Sequence, residues 1–370
     1  MIIHNGWVFG EDRKFKMKDL YIEQGIIVSN VSQVIDKTVV DASGCYVIPG
    51  LIDIHSHGAC GYDFSDANEA GLHEILRYQR EHGITSYCPT SMTLPKEQLQ
   101  KIFKTAKAVK SMEESNIEEA TLVGINMEGP FIDAKKKGAH AEEYIIKPDV
   151  EFFLNCNESC GDLIRLVTIA PNMDGAIEFI RRLSDKSIIS LGHTSADYAT
   201  SRKAIEAGAH HITHIYNAMM PLEHRAPGLI GAAAEDEYVM AELICDGVHV
   251  HESMVRAAFK LFYDRIVLIS DSIRATGMKD GIYELGGQQV TVAGKIATLQ
   301  DGTIAGSVAN LFDCMLTAIS FGIPPETAIA AATMNPAKSI GIYDTVGSLT
   351  VGKKADVLIV NQEYELIRVI

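Results

Sequence analysis

The segment Val47-Ile-Pro-Gly-Leu-Ile-Asp-Ile-His-Ser-His57 carries an apolar run into Asp53, His55 and His57, and a strand period of two puts these three side chains on one face. The same event recurs along the chain. The stretches 123–128, 188–193, 211–214 and 267–271 are also apolar runs that end on a side chain able to bind a metal. Five runs deliver six such groups: His55, His57, Glu128, His193, His214 and Asp271. Burying these imidazoles and carboxylates together without a cation costs several kcal/mol per unpaired charge, so the pattern points to a bound divalent metal.

The spacing of the runs also constrains the fold. From Pro49 onward, strand-length apolar runs alternate with amphipathic segments of helix length, as a parallel sheet with crossover helices requires. The strand candidates are 51–57, 85–89, 122–128, 163–170, 188–193, 211–215, 241–245 and 266–271, with helices expected at 69–81, 96–112, 175–183, 196–207 and 253–263. Eight strands suggest a closed (β/α)8 TIM-like barrel, an α/β fold whose active site forms at the C-terminal strand ends, where the ligand-type residues fall. An open doubly wound sheet would instead gather its ligands near one switch point. Before the barrel, 2–9, 19–27 and 39–48 read as short strands of an antiparallel sheet, and the strand-like tail 347–360 completes it. The expected division is therefore a small β-sandwich domain from residues 1–48 plus 345–370, and a metal-dependent barrel over 49–344. Residues 281–298, with Gly286-Gly287 and Gly294 as turn points, read as a hairpin-rich insertion, followed by helices over 307–321 and 325–333.

Composition narrows the partners. A net charge of −15 argues against a nucleic-acid surface, and makes any local cation in a pocket informative. No apolar stretch reaches the ~18 residues of a membrane span, and the start lacks a basic n-region with an apolar core, so a cytoplasmic enzyme without membrane contact is expected. The seven cysteines are scattered and odd in number, and read as reduced thiols used mostly in packing.

The order of these features resembles the amidohydrolase superfamily over essentially the whole chain: an N-terminal sheet, PGLIDIHSHG, a Glu, two single His, a final Asp and a closing GSLTVGKKADVLIV. Within it, INMEGPFI, KKGAH, SLGHT, THIYNAMMPLEHRAPGLIG, DGVHV, SDSIRATG and GTIAGS resemble the N-acetylglucosamine-6-phosphate deacetylase family. The resemblance implies that Glu128, His193 and His214 hold one divalent metal and that His55 and His57 can hold a second, with Glu128 as a bridging carboxylate if both fill. Zinc is the first expectation; iron, manganese and cobalt suit the same donors. It implies further that Asp271 is the general base and acid and that His140 donates a hydrogen bond to the acetyl oxygen. Asn217, Ala218, Arg225 and His249 are implied to bind the sugar phosphate, partly across a homodimer interface. The chemistry fits an amide, a poor electrophile with a poor leaving group. A divalent metal lowers the pKa of bound water from about 16 towards about 7 and so supplies a nucleophile at neutral pH.

Overall fold

The computed structural model describes residues 1–112 and 118–370. Strands β1 (Leu51–Ser56), β2 (Ile84–Ser91), β3 (Ile125–Glu128), β4 (Ile164–Ile169), β5 (Ile188–Leu191), β6 (His211–Ile212), β7 (Met240–Ile244) and β8 (Ile266–Ile269) lie side by side in chain order, all parallel. β8 returns to β1 through bonds just past the strand ends: the Asp271 N–H donates to the His55 carbonyl (2.9 Å), and the His57 N–H to the Ser272 carbonyl (2.8 Å). The result is the expected TIM-like barrel.

A helix follows every strand: α1 (Glu69–Glu81), α2 (Lys96–Ser111), α3 (Val150–Ser159), α4 (Ala176–Leu183), α5 (Tyr198–Glu206), α6 (Gly228–Ala234), α7 (Glu252–Phe262) and α8 (Leu311–Ser320), with α9 (Pro325–Ala332) and α10 (Met334–Ser339) after the last. α1 shows why they form. Asn68 caps it by accepting from the Gly71 N–H, and Leu72, Ile75 and Leu76 recur at helical spacing to bury one face. Among the described residues no helix is long and apolar enough to cross a membrane. All seven cysteines are free, and five of them are buried.

The strand ends carry two corrections to the sequence reading. β5, β6 and β8 stop earlier than their apolar runs, so His193, His214 and Asp271 lie just beyond them, each in left-handed backbone (φ 45°, 24° and 47°). Such backbone costs a non-glycine residue of order 1–3 kcal/mol, and here it turns each side chain in from the strand end. In β1, alternation fails. Asp53 pairs with Tyr87 and Ser56 with Pro89, so the stretch from 53 to 56 faces the shorter stretch from 87 to 89 across a bulge. Ile52 and Ile54 pack with Leu166, Ile244, Val267 and Ile269, from strands that only the barrel interior brings together. Asp53 points the other way, and the bulge then brings His55 and His57 inward.

The two chain ends meet in one seven-stranded sheet, in which Val357–Val360 pairs with Tyr46–Pro49 and Leu366–Val369 forms the edge. Leu20, Ile22, Val47, Val357 and Ile359 share a core there, separate from the barrel's. This sheet is mixed rather than antiparallel, because Ile2–Phe9 pairs in parallel with both Val39–Asp41 and Tyr46–Pro49. The expected strand over 19–27 is two strands, Phe15–Glu23 and Ile26–Val28, since Gln24 and Gly25 turn the chain with positive φ (49° and 73°). The insertion is a three-stranded antiparallel sheet, Gly281–Leu285, Gln288–Ala293 and Ile296–Thr298, whose Leu285 packs beside Met92 at the barrel mouth.

Candidate metal centre

His55, His57, Glu128, His193, His214 and Asp271 converge at the C-terminal end of the barrel, all buried, and all but His55 line a cavity of about 510 Å³. Glu128 stands between two halves. Its Oε1 lies 3.0 Å from the Nε2 atoms of both His193 and His214, while its Oε2 lies 3.4 Å from His55 Nε2 and 3.3 Å from His57 Nε2. Asp271 Oδ1 closes the second half, 3.2 Å from His57 Nε2 and 3.7 Å from His55 Nε2.

The opposite edges of the rings say what these nitrogens carry. His193 Nδ1 lies 2.8 Å from the Lys136 carbonyl, His57 Nδ1 lies 3.1 Å from the Thr90 carbonyl, and His55 Nδ1 lies 2.8 Å from Glu242 Oε2. Carbonyls and carboxylates only accept, so each Nδ1 bears the proton and each neutral ring presents an Nε2 lone pair. Lone pairs then face carboxylate oxygens, and the His193 and His214 Nε2 atoms approach within 3.0 Å of each other. This arrangement repels itself unless protons or a cation lie between, and nitrogen and carboxylate donors around one point suit a divalent metal. Without one, a proton serves: burial opposes charge on His57, but Asp271 and Glu128 overcome it and push the pKa up to about 10. Metal binding displaces such protons.

His140 has the opposite polarity. Its Nδ1 accepts the Thr93 N–H (3.0 Å), so the proton is on Nε2, which points at Glu128 Oε2 from 3.4 Å. A ring held this way donates rather than ligates, although it stands close to Glu128 and His193. Burial drives its pKa down to about 4, which keeps it neutral. Asp271 is buried too, but His57 and His55 hold its pKa down at about 2, so the carboxylate is ionised. Ser272 braces the Asp271 loop: its hydroxyl donates to the Gly58 carbonyl (3.0 Å) and meets the Ser56 hydroxyl (2.7 Å).

The expected phosphate residues divide. Asn217, Ala218 and His249 line the cavity. The Asn217 N–H already donates to the His214 carbonyl (3.0 Å), which commits that amide locally. His249 Nδ1 bonds Asp246 Oδ2 at 2.7 Å, and although burial opposes it, Asp246 raises the pKa of His249 towards the charged form. Arg225 is not among the lining residues; it sits in the exposed stretch 220–226, beside the exposed Met220 and Leu222. Lys135, Lys136 and Lys137 line the mouth instead. Sequence alone singled out only Lys136 and Lys137, in KKGAH around His140, although consecutive lysines stand out in so acidic a chain. A second omission is Glu242, a lone charge in apolar β7. Asp53, expected on one strand face with His55 and His57, accepts from the Ser270 hydroxyl and from the backbone N–H groups of His55 and Ser270, outside the cluster.

Residues 46–369 match the model of the amidohydrolase family. The chain is 40% identical to the N-acetylglucosamine-6-phosphate deacetylase of Bacillus subtilis over 99% of its own length and 91% of that protein's, and 34% identical to that of Bos taurus over 88% and 82%. Among solved structures, a mutant N-acetyl-D-glucosamine-6-phosphate deacetylase from Mycobacterium smegmatis in complex with N-acetyl-D-glucosamine-6-phosphate superposes with a TM-score of 0.92 at 29% identity, covering 100% of this chain and 97% of that one. The chain belongs to the amidohydrolase family and, within it, to the N-acetylglucosamine-6-phosphate deacetylases.

Proposed function

We propose that this enzyme hydrolyses the N-acetyl amide of N-acetylglucosamine 6-phosphate to glucosamine 6-phosphate and acetate. The observation that carries the reading is the set of Nδ1–H groups on His55, His57 and His193 directed away from the cavity, which leaves their lone pairs, with Glu128, around one point. Glu128, His193 and His214 would hold one divalent cation, zinc before iron, manganese or cobalt, and His55 and His57 offer a second place. Such an ion supplies Lewis acidity and lowers the pKa of water.

The remaining work falls to the chain's own groups. Asp271, ionised and facing the cavity, takes a proton from the attacking water as the water's oxygen bonds to the acetyl carbon, and returns it to the sugar nitrogen as the C–N bond breaks. His140 directs its Nε2–H at the acetyl oxygen, where negative charge develops. Phosphate recognition rests on His249, whose charged form Asp246 favours, and on the Ala218 amide, with Lys135, Lys136 and Lys137 making the mouth locally positive. Arg225, exposed in the single chain, would reach the cavity of a partner copy in a homodimer.

Acetate release from N-acetylglucosamine 6-phosphate, its galactosamine epimer and unphosphorylated N-acetylglucosamine, before and after chelation, tests the reading. The first substrate should be fastest and its turnover should vanish with the metal. Chelator-insensitive turnover, or equal rates on all three sugars, would overturn it. Arg225→Ala should lose roughly 2–4 kcal/mol in kcat/KM on the phosphorylated sugar and almost nothing on the unphosphorylated one. Equal losses on both would make Arg225 a loop or interface residue.

A further inference from the structure

Glu242 is fully buried and is the only charged side chain of β7, Met-Ala-Glu-Leu-Ile. A buried carboxylate is destabilising unless it is paired and hydrogen-bonded, and an apolar residue would pack this strand without that cost. Its bonds show what it does there. One oxygen, Oε2, accepts both the His55 Nδ1–H (2.8 Å) and the His214 backbone N–H (3.1 Å). Oε1 lies 3.8 Å from His211 Nδ1, whose bond is with the Ser190 hydroxyl (2.9 Å).

The two bonds act on different halves of the centre. The first fixes the tautomer of His55 and points its Nε2 towards Glu128 and Asp271. The second holds the backbone of His214 at the sharp turn (φ 24°) from which its Nε2 meets Glu128. We infer that Glu242 is a positioning residue that holds both halves of the metal centre through a single carboxylate oxygen, tying the His55/His57 half to the Glu128/His193/His214 half. The inference deepens the metal reading above and rests on it.

The test measures zinc affinity by chelator competition for the full-length protein and Glu242→Gln, and again for His57→Ala and His57→Ala/Glu242→Gln, where zinc is confined to the His193/His214 half. Partners that orient metal ligands are typically worth about 10–100-fold in affinity, and a loss in that range is expected in both comparisons. The metal-free proteins should give the same circular dichroism and melt within a few degrees of one another, which a merely structural role would not allow. A loss in the first comparison only would mean that Glu242 acts through His55 alone, and would overturn the shared hold; no loss in either would overturn the inference altogether. Failure of the unsubstituted protein to bind zinc counts against the metal reading instead. Should Glu242→Gln not fold, Glu242→Asp keeps the charge on a shorter stem and is expected to lose affinity in the same way; if neither variant folds, Glu242 is a folding residue and the inference falls.

Discussion

His211 and His214 flank Ile212 and Thr213 at one strand end and are both buried, yet only one reaches the ligand cluster. His211 stays in β6, bonds the Ser190 hydroxyl and is kept neutral by burial. His214 lies past the strand in left-handed backbone, with Nε2 3.0 Å from both Glu128 and His193. The aspartates repeat the contrast. Asp271 enters the cluster from the same kind of turn, while Asp53, ahead of the β1 bulge, serves the joint between β1 and β8. Residue type and nearness in sequence therefore do not bring a side chain into the cluster; the backbone at the strand end does.

The histidine pair gives the largest expected effect. His214→Ala should lose nearly all bound metal and turnover, whereas His211→Ala should keep both and lose only the ~1–3 kcal/mol of a broken buried hydrogen bond. Metal analysis and thermal unfolding of the two variants make the comparison. Full metal in His214→Ala, or none in His211→Ala, would erase the distinction between the two positions.

Asp271→Asn should act next most strongly. The amide cannot take a proton from water, so kcat should fall by about 10²–10⁴ while metal content and substrate affinity hold. Near-normal kcat would remove Asp271 from proton transfer. Loss of metal instead would make it a ligand in the manner of His214.

Most of the barrel was legible because its signals are local. α1 shows its cap at Asn68 and its apolar spacing in sequence, and most strands show an apolar run. The convergence of six ligand-type groups was legible for the same reason, since each follows a run. Three things were not. A period of two cannot reveal an extra residue, so Asp53 was grouped with His55 until the bulge separated them. Parallel pairing of Ile2–Phe9 with later strands is a long-range choice, invisible in patterns read one segment at a time. The roles of the histidines were hidden as well, because the tautomer of His140 depends on the Thr93 N–H and that of His55 on Glu242, both remote in sequence. Glu242 did leave a signal, a charge inside an apolar strand, which could be weighed only with its partners in view.

The smallest expected effect separates Asp53 from Asp271 by sign. Burial pushes the Asp53 pKa up to about 6, although the Ser270 hydroxyl and the His55 N–H work against the rise. An unfolded aspartate titrates near ~3.9, so the folded state favours the protonated form. Stability from this group is therefore fully present below about pH 4 and is lost as pH rises through about 6, where the ionised carboxylate must stay buried. Two pKa units correspond to about 3 kcal/mol, an upper figure for a group whose hydrogen bonds persist. Asp53→Asn cannot ionise, and its amide can still bond the Ser270 hydroxyl. In metal-free protein, the unfolding free energy of Asp53→Asn relative to the unsubstituted chain should climb by about 1–3 kcal/mol between pH 4 and pH 7. Asp271, whose pKa lies below the unfolded value, should show the reverse slope at lower pH, its contribution disappearing as pH falls towards about 2. If the Asp53→Asn difference were flat across that range, Asp53 would be ionised without penalty, and the bulge would not have removed it from the charged cluster.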